Sequence, residues 1–262
     1  MEHHGHGIGC PARARQPWTP AAIGALLLLA AAAGAAQDIE LTQLVDSPTA
    51  GLLGKGQYGF DLRLFAGGGV AGQVGAGALP RLAISVAYGG EGVLGNLPAD
   101  WYPRLEAGIR YRLVEESAVW PAVVIGYDTQ GYGAHRQGRY ASKSKGLFGC
   151  TSKNYASVLG QFGLHAGINL TRETEDGDDD VSGWLGVDKS INEQLALVAE
   201  YDLGRNADGR SGSGLDHPLL HAGVRLSIAP QLTLALHLKD LLTQTDAPQF
   251  TRELSVHYVE SF

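Results

Sequence analysis

The chain closes on Leu254-Ser-Val-His-Tyr-Val-Glu-Ser-Phe262, where apolar and polar side chains alternate with a period of two and the last residue is phenylalanine. Successive side chains of a β-strand point to opposite faces. Leu254, Val256, Tyr258 and Phe262 therefore share one face, and Glu253, Ser255, His257 and Ser261 share the other. An apolar face on lipid and a polar face on a lumen is the pattern of a strand that crosses a bilayer in a closed barrel. Glu260 departs from it, standing on the apolar face where an aromatic residue is expected.

The other end agrees. An apolar run from Ala21 to Ala33 follows Arg13 and Arg15 and precedes the small residues Gly34, Ala35 and Ala36, the layout of a secretory signal peptide over residues 1–36. That run is too short for a spanning helix, and no later one is longer, so membrane helices are excluded while strands of about 9–11 residues are not. The string Met-Glu-His-His-Gly-His lies before the expected cut and is set aside as a metal site. Cys10 leaves with the leader, and Cys150 is left without a disulfide partner, a small strand residue rather than a catalytic thiol. Net charge is −7, or −8 once Glu2, Arg13 and Arg15 are removed, which excludes a nucleic-acid footprint. The 37 glycines follow no triplet repeat, which excludes collagen and suits tight turns and close-packed walls.

Twelve strands are expected, at 57–66, 70–79, 82–90, 104–114, 119–128, 144–152, 159–170, 181–190, 195–204, 219–228, 231–241 and 252–262. Short connections at 80–81, 115–118, 153–158, 191–194 and 229–230 alternate with long ones at 91–103, 129–143, 171–180, 205–218 and 242–251. Short periplasmic turns and long outer loops are the habit of bacterial barrels; only the tight Gly67-Gly68-Gly69 connection falls on the wrong side. Alternation is clearest where Leu105, Ala107, Ile109, Tyr111 and Leu113 oppose Arg104, Glu106, Arg110 and Arg112. Leu232, Leu234, Leu236 and Leu238 oppose His237 and Lys239, and Leu220, Ala222, Val224 and Leu226 oppose His221 and Arg225. Segments 70–79 and 144–152 contrast least and could be loops. A soluble β-sandwich also alternates, but strand length, the terminal Phe262 and the turn pattern favour a barrel. The fold class is thus all-β, a transmembrane antiparallel up-and-down β-barrel over 57–262. Tyr58, Tyr88, Tyr111, Tyr127, Tyr201 and Tyr258 suit aromatic belts, and 37–56 is read as a periplasmic lead-in or short plug.

Four strings carry a family likeness: Asp46-Ser-Pro-Thr-Ala-Gly51, Trp120-Pro-Ala-Val-Val-Ile-Gly-Tyr-Asp-Thr-Gln-Gly-Tyr-Gly133, Tyr140-Ala-Ser-Lys-Ser-Lys-Gly146 and Gly186-Val-Asp-Lys-Ser190. In these the chain resembles the YjbH-like outer-membrane proteins associated with bacterial exopolysaccharide production. The resemblance implies a β-barrel connected with export or display of polysaccharide, and it supplies no catalytic residues.

The chemically rich set is the inward parity: Arg104, Glu106, Arg110, Arg112, His165, Asn169, Glu200, Asp202, His221, Arg225, His237, Lys239 and His257. A narrow barrel must pair the charges it buries, so a hydrogen-bonded structural network is the first reading and a selective pore the second. The third is a barrel enzyme of lipase or protease type, for which His165, Asn169 and Ser227 or Ser255 are raw material, though no nucleophile motif flanks either serine. No catalytic residue, cofactor or metal ligand is named. Glu173, Glu175, Asp176, Asp178, Asp179 and Asp180 read as a solvated acidic loop before a calcium or lipopolysaccharide site, and 206–216 as a mobile loop tip. The expected location is the bacterial outer membrane. Expected partners are its lipid, a polysaccharide or small polar solute, and the barrel-assembly machinery through Phe262.

Overall fold

The strands close on themselves. The computed structural model describes residues 39–96, 98–136, 138–157, 160–206, 218–242 and 251–262; the signal peptide expected at 1–36 and most of the 206–216 loop lie outside them. In chain order the strands are β1 (Gln57–Phe65), β2 (Gly69–Leu79), β3 (Leu82–Glu91), β4 (Asp100–Trp101), β5 (Glu106–Val114), β6 (Ala122–Asp128), β7 (Tyr132–Arg136) and β8 (Arg139–Ser142). They continue as β9 (Gly146–Ser157), β10 (Gly160–Leu170), β11 (Ser182–Ser190), β12 (Leu195–Asp202), β13 (Leu219–Ala229), β14 (Leu232–Lys239) and β15 (Thr251–Ser261). Setting aside β4 and the β7–β8 hairpin, twelve antiparallel strands among the described residues form a closed barrel. The seam joins first to last, with Gln57 opposite Ser261 and Leu64 opposite Leu254. Closure leaves no open edge, so the ladder groups inside a bilayer are satisfied strand to strand.

Side-chain parity makes this a membrane barrel rather than a sandwich. Leu105, Ile168 and Leu185 are 67%, 64% and 60% exposed, while Glu106, Glu200 and His237 on the opposite faces are buried. A soluble fold would invert that distribution. The rings of Tyr88 and Trp101 stack at 5.8 Å and those of Tyr58 and Phe262 at 5.1 Å, on the outer surface near strand ends, as aromatic belts require. Register shifts at Gly77/Leu79, Arg112/Val114 and Ser227/Ala229 all sit beside short turns. Bulges there increase strand twist where the rim must curve.

Several boundaries differ from expectation. The strand expected at 119–128 starts at Ala122, because a turn closed by Ser117 N–H on Trp120 O occupies the preceding residues. Arg104 and Leu105 precede β5 instead of opening it. Segments 70–79 and 144–152, weakest in contrast, are strands, the second displaced to β9 and absorbing most of the expected turn at 153–158. Ala and Gly on both faces hide the period of the first, small and polar residues such as Cys150, Thr151 and Ser152 that of the second, and pairing on both sides holds them extended. The largest difference concerns the loop expected at 129–143, which contains the β7–β8 hairpin and buries Tyr140 completely.

Candidate functional site in the lumen

Residues Leu44 to Leu52 are buried inside the wall. Their backbone turns sharply, with Leu44 N–H on Ser47 O at 2.9 Å and Thr49 N–H on Thr42 O at 3.1 Å. Three successive N–H groups at the tip converge on one carboxylate: Glu200 Oε2 accepts from Val45, Asp46 and Ser47 at 3.0, 2.9 and 2.9 Å. Ser47 Oγ donates to Glu200 Oε1 at 2.8 Å. Successive amides aimed at a common point form an anion-binding nest, and β12 supplies the anion from its own wall. Ala50 N–H donates to Ser152 Oγ at 2.8 Å, Trp184 Nε1 to Pro48 O at 3.1 Å, Arg110 to Thr42 O at 2.7 Å and Arg112 to Ala50 O at 2.8 Å. Leu44 fits because Gly186 lacks a side chain, for a Cβ there would lie 2.2 Å from Leu44 Cδ1.

Asp46 is the second anchor. Its carboxylate meets Arg63 of β1 at 2.6 Å and Lys239 of β14 at 2.6 Å, and both cations also reach Glu253 of β15, at 3.3 and 3.2 Å. Two cations and two carboxylates balance, which is what burial of charge demands. Ser142 Oγ at the end of β8 donates to Asp46 Oδ2 at 3.1 Å, so hairpin and segment meet at this residue. The Arg63 guanidinium lies 3.9 Å from the centre of the Tyr132 ring, a cation–π contact, and Gln43 donates to the Tyr132 hydroxyl. Tyr140 donates to Glu106 at 3.0 Å and packs edge-on against Tyr102 at 4.9 Å.

The acidic loop is not merely solvated, contrary to expectation. Glu173 accepts the Tyr140 and Ser144 N–H groups, each at 2.8 Å, and Asp176 pairs with Lys143 at 2.7 Å and with Arg139. It latches the hairpin because basic residues of the neighbouring loop neutralise it, a pairing that no local spacing announces. Burial opposes ionisation of Asp176, yet the hydrogen bonds from Lys143, the Asp178 backbone and Arg139 hold its carboxyl below the ordinary range.

The structure places the inward set as follows. Arg104 sits before the strand with a half-exposed side chain, 3.0 Å from Glu106. Arg110 and Arg112 grip the inserted segment, and Arg112 also pairs with Glu40. Asp202 pairs with Lys145, and Asn169 donates to Lys145 O at 3.2 Å. His221 Nδ1 accepts from Asp240 N–H at 2.9 Å, whereas both nitrogens of buried His237 have no partner among the described residues. Glu200 and Asp202 therefore serve the inserted segment and a lysine, not the histidines. Asp61, Arg63, Ser152 and Asp188 were missed, although the period-two parity beside Leu62 and Leu64 marks the first two.

His165 has acquired other neighbours than those expected. Its Nδ1 lies 2.8 Å from Ser152 Oγ and its Nε2 lies 2.8 Å from Asp188 Oδ1. Ser227 instead meets Thr233 at 3.2 Å, and Ser255 Oγ is buried without a partner. The serine–histidine–aspartate line spans three adjacent strands and has the composition of a hydrolytic triad. Ser152 Oγ is, however, occupied by Ala50 N–H.

Space remains on one side of the segment. A cavity of about 90 Å³ lies toward the short-turn end, lined by Glu40, Asp61, Gln73, Arg110, Arg225 and His257 among others. A smaller one of about 30 Å³ continues toward Arg63, Gln130 and Tyr132, and the two share Gln43, Asp61, Gln73 and His257. Ser152 lines neither.

A closed strand wall with an apolar outer band and a polar interior has its place in a bacterial outer membrane. This chain is an outer-membrane β-barrel. No protein family and no curated protein matches its sequence. Among solved structures it is similar to the KdgM porin, at 7% identity and a TM-score of 0.47, covering 79% of this chain and 99% of that one. The NanC porin follows at 10% and 0.41, covering 78% and 99%. Omp33 of Acinetobacter baumannii stands at 11% and 0.44, covering 79% and 97%. Matches this remote say nothing about solute or role; the fold rests on the strand pairing itself.

Proposed function

We propose that the protein is a narrow outer-membrane channel for small polar solutes, whose constriction is built by the inserted segment 44–52 and the β7–β8 hairpin. The observation that carries this is the pair of adjoining cavities on the β1–β3 and β13–β15 side, which share four lining residues and lead past Arg63 and Tyr132. A wall evolved only to be rigid would fill that side with packed side chains, as it does around Leu44 and Trp184. Lumen charges are nearly all paired, so the pore is narrow and polar rather than strongly selective by a ring of one sign. The likeness to YjbH-like proteins adds a role beside exopolysaccharide production, with polysaccharide as a partner at the outer face. Export through a signal peptide at 1–36, a role of 37–56 as plug, and recognition of the exposed Phe262 by barrel-assembly machinery belong to the same proposal.

The test is conductance of the purified protein in planar bilayers. Small steady steps are expected, with larger ones after Glu200→Gln, which weakens the anchor of the segment. Silence from both proteins leaves a sealed scaffold.

The enzyme reading keeps one observation, the Ser152–His165–Asp188 line. Against it stand the hydrogen bond of Ala50 on the hydroxyl and the absence of Ser152 from both cavity linings. Esterase and protease activity in the wild type that Ser152→Ala abolishes, with the barrel still folded, would reverse the preference.

A further inference from the structure

Arg225 is the exception to the pairing that governs this lumen. It projects inward from β13 between Ala196 of β12 and Ala235 of β14, whose short side chains leave its guanidinium room. Among the described residues it has no hydrogen-bond or ion-pair partner, and it lines the larger cavity. The carboxylates whose charge it feels are Asp61 and Asp188, neither close enough to pair with it. Both are engaged elsewhere, Asp61 with His257 and Asp188 with His165 at 2.8 Å. Glu40, the remaining carboxylate of the cavity, is held by Arg112. Arg110 of the same lining is occupied by Thr42 O at 2.7 Å and by Asp128 at 3.7 Å. The uncommitted charge of the cavity is therefore one guanidinium.

We infer that this cavity is a binding site for a small carboxylate solute, held by Arg225. A half-buried guanidinium without a paired counter-charge favours an anion, and its planar fork matches a carboxylate through two parallel hydrogen bonds. Size narrows the class. A cavity of about 90 Å³ has room for roughly six to nine water molecules at 10–15 Å³ each, which suits an acid of about that many heavy atoms. The lining also presents Gln73, Gln231 and Thr233, whose amides and hydroxyl can serve hydroxyl groups on such an acid. A hydroxy acid of the size of lactate meets both demands. This names the solute class of the channel proposed above and depends on that reading only for the passage of the solute, not for its binding.

The experiment is calorimetric titration of the detergent-solubilised, folded barrel with sodium lactate and with lactamide, its neutral analogue, in low-chloride buffer. The wild type should bind lactate and not lactamide. Arg225→Gln keeps hydrogen-bond donors but loses the charge, and should weaken lactate binding at least about tenfold, the scale of one charge-assisted contact. Arg225→Lys keeps the charge but loses the two-pronged geometry, and should bind lactate more weakly than the wild type and more tightly than Arg225→Gln. Because removal of an unpaired charge relieves rather than disrupts the fold, Arg225→Gln is expected to show the same heat-dependent gel shift as the wild type. Lactamide bound as tightly as lactate, chloride displacing lactate at equal concentration, lactate binding unaltered in Arg225→Gln, or no heat from the wild type at millimolar lactate each overturns the assignment. Conductance without lactate binding sinks this inference and spares the channel; lactate binding without conductance does the reverse.

Discussion

Glu200 organises the turn of the inserted segment, because one of its oxygens receives three consecutive backbone N–H groups that have no other partner among the described residues. Hydrogen bonds to a charged acceptor contribute about 1.5–3 kcal/mol each, and burial without a partner costs a similar amount. Glu200→Gln retains the shape and removes the charge. It should loosen the inserted segment by about 2–3 kcal/mol while the wall stays closed, seen as faster hydrogen exchange at Val45 to Ser47 with an unchanged gel shift. Protection equal to the wild type would mean that the Asp46 cluster alone seats the segment. Asp46 and Glu200 act on the same turn, so their substitutions should combine non-additively.

At the scale of the element, the β7–β8 hairpin sits in the lumen because the loop after β10 neutralises it. Asp176 pairs with Lys143 and Arg139, and these contacts hold its carboxyl below the usual range against the opposing effect of burial. A carboxylate depressed in the folded state adds stability that is complete above its unfolded value, about 3.9, and is lost as the pH falls through the lower folded value. The hairpin should therefore stay latched at pH 5 to 6, which lies well above about 3.9, and release only in stronger acid. A fluorophore at Arg136 would report this as a change in mobility. Asp176→Asn should show the released signal at neutral pH, and release of the wild type already near pH 6 would exclude Asp176 as the controlling group.

For the whole molecule the bilayer is the solvent, and facing decides the cost of a substitution. Leu236, at the middle of β14, is 49% exposed on the outer surface. Leu236→Arg should cost about 2–4 kcal/mol near the midplane and impair assembly. Thr233→Ser on the same strand faces the cavity and should be tolerated. Urea unfolding from lipid vesicles measures both, and equal losses would place the strand with the wrong face outward. The seam between β1 and β15 makes the barrel a single cooperative unit, so the intact protein should migrate faster on unheated than on heated gels.

The sequence by itself determined the wall. Period-two alternation, strand length and the order of short and long connections are local properties, set by strand geometry and by the lipid on one side. They located the β1, β3, β10 to β13 and β15 segments to within a few residues, with Arg110, His165, Glu200, His221, Arg225, His237 and Lys239 facing inward. Where small residues occupy both faces, as Ala and Gly do in β2 and Gly149, Cys150 and Ser152 do in β9, the period carries little contrast, and pairing with neighbouring strands decided the strand. Only tertiary structure could decide what fills the lumen. Glu200 is separated from Asp46 by 154 residues, and Tyr140 from Glu106 by 34, yet each pair is in contact. A carboxylate finds its partners by distance across the barrel, and no spacing along the chain encodes that distance. Parity could say that Arg225 faces the lumen; closure of the barrel decided that, among the described residues, it would be left without a partner, because Asp61, Asp188 and Glu40 were already claimed by nearer groups.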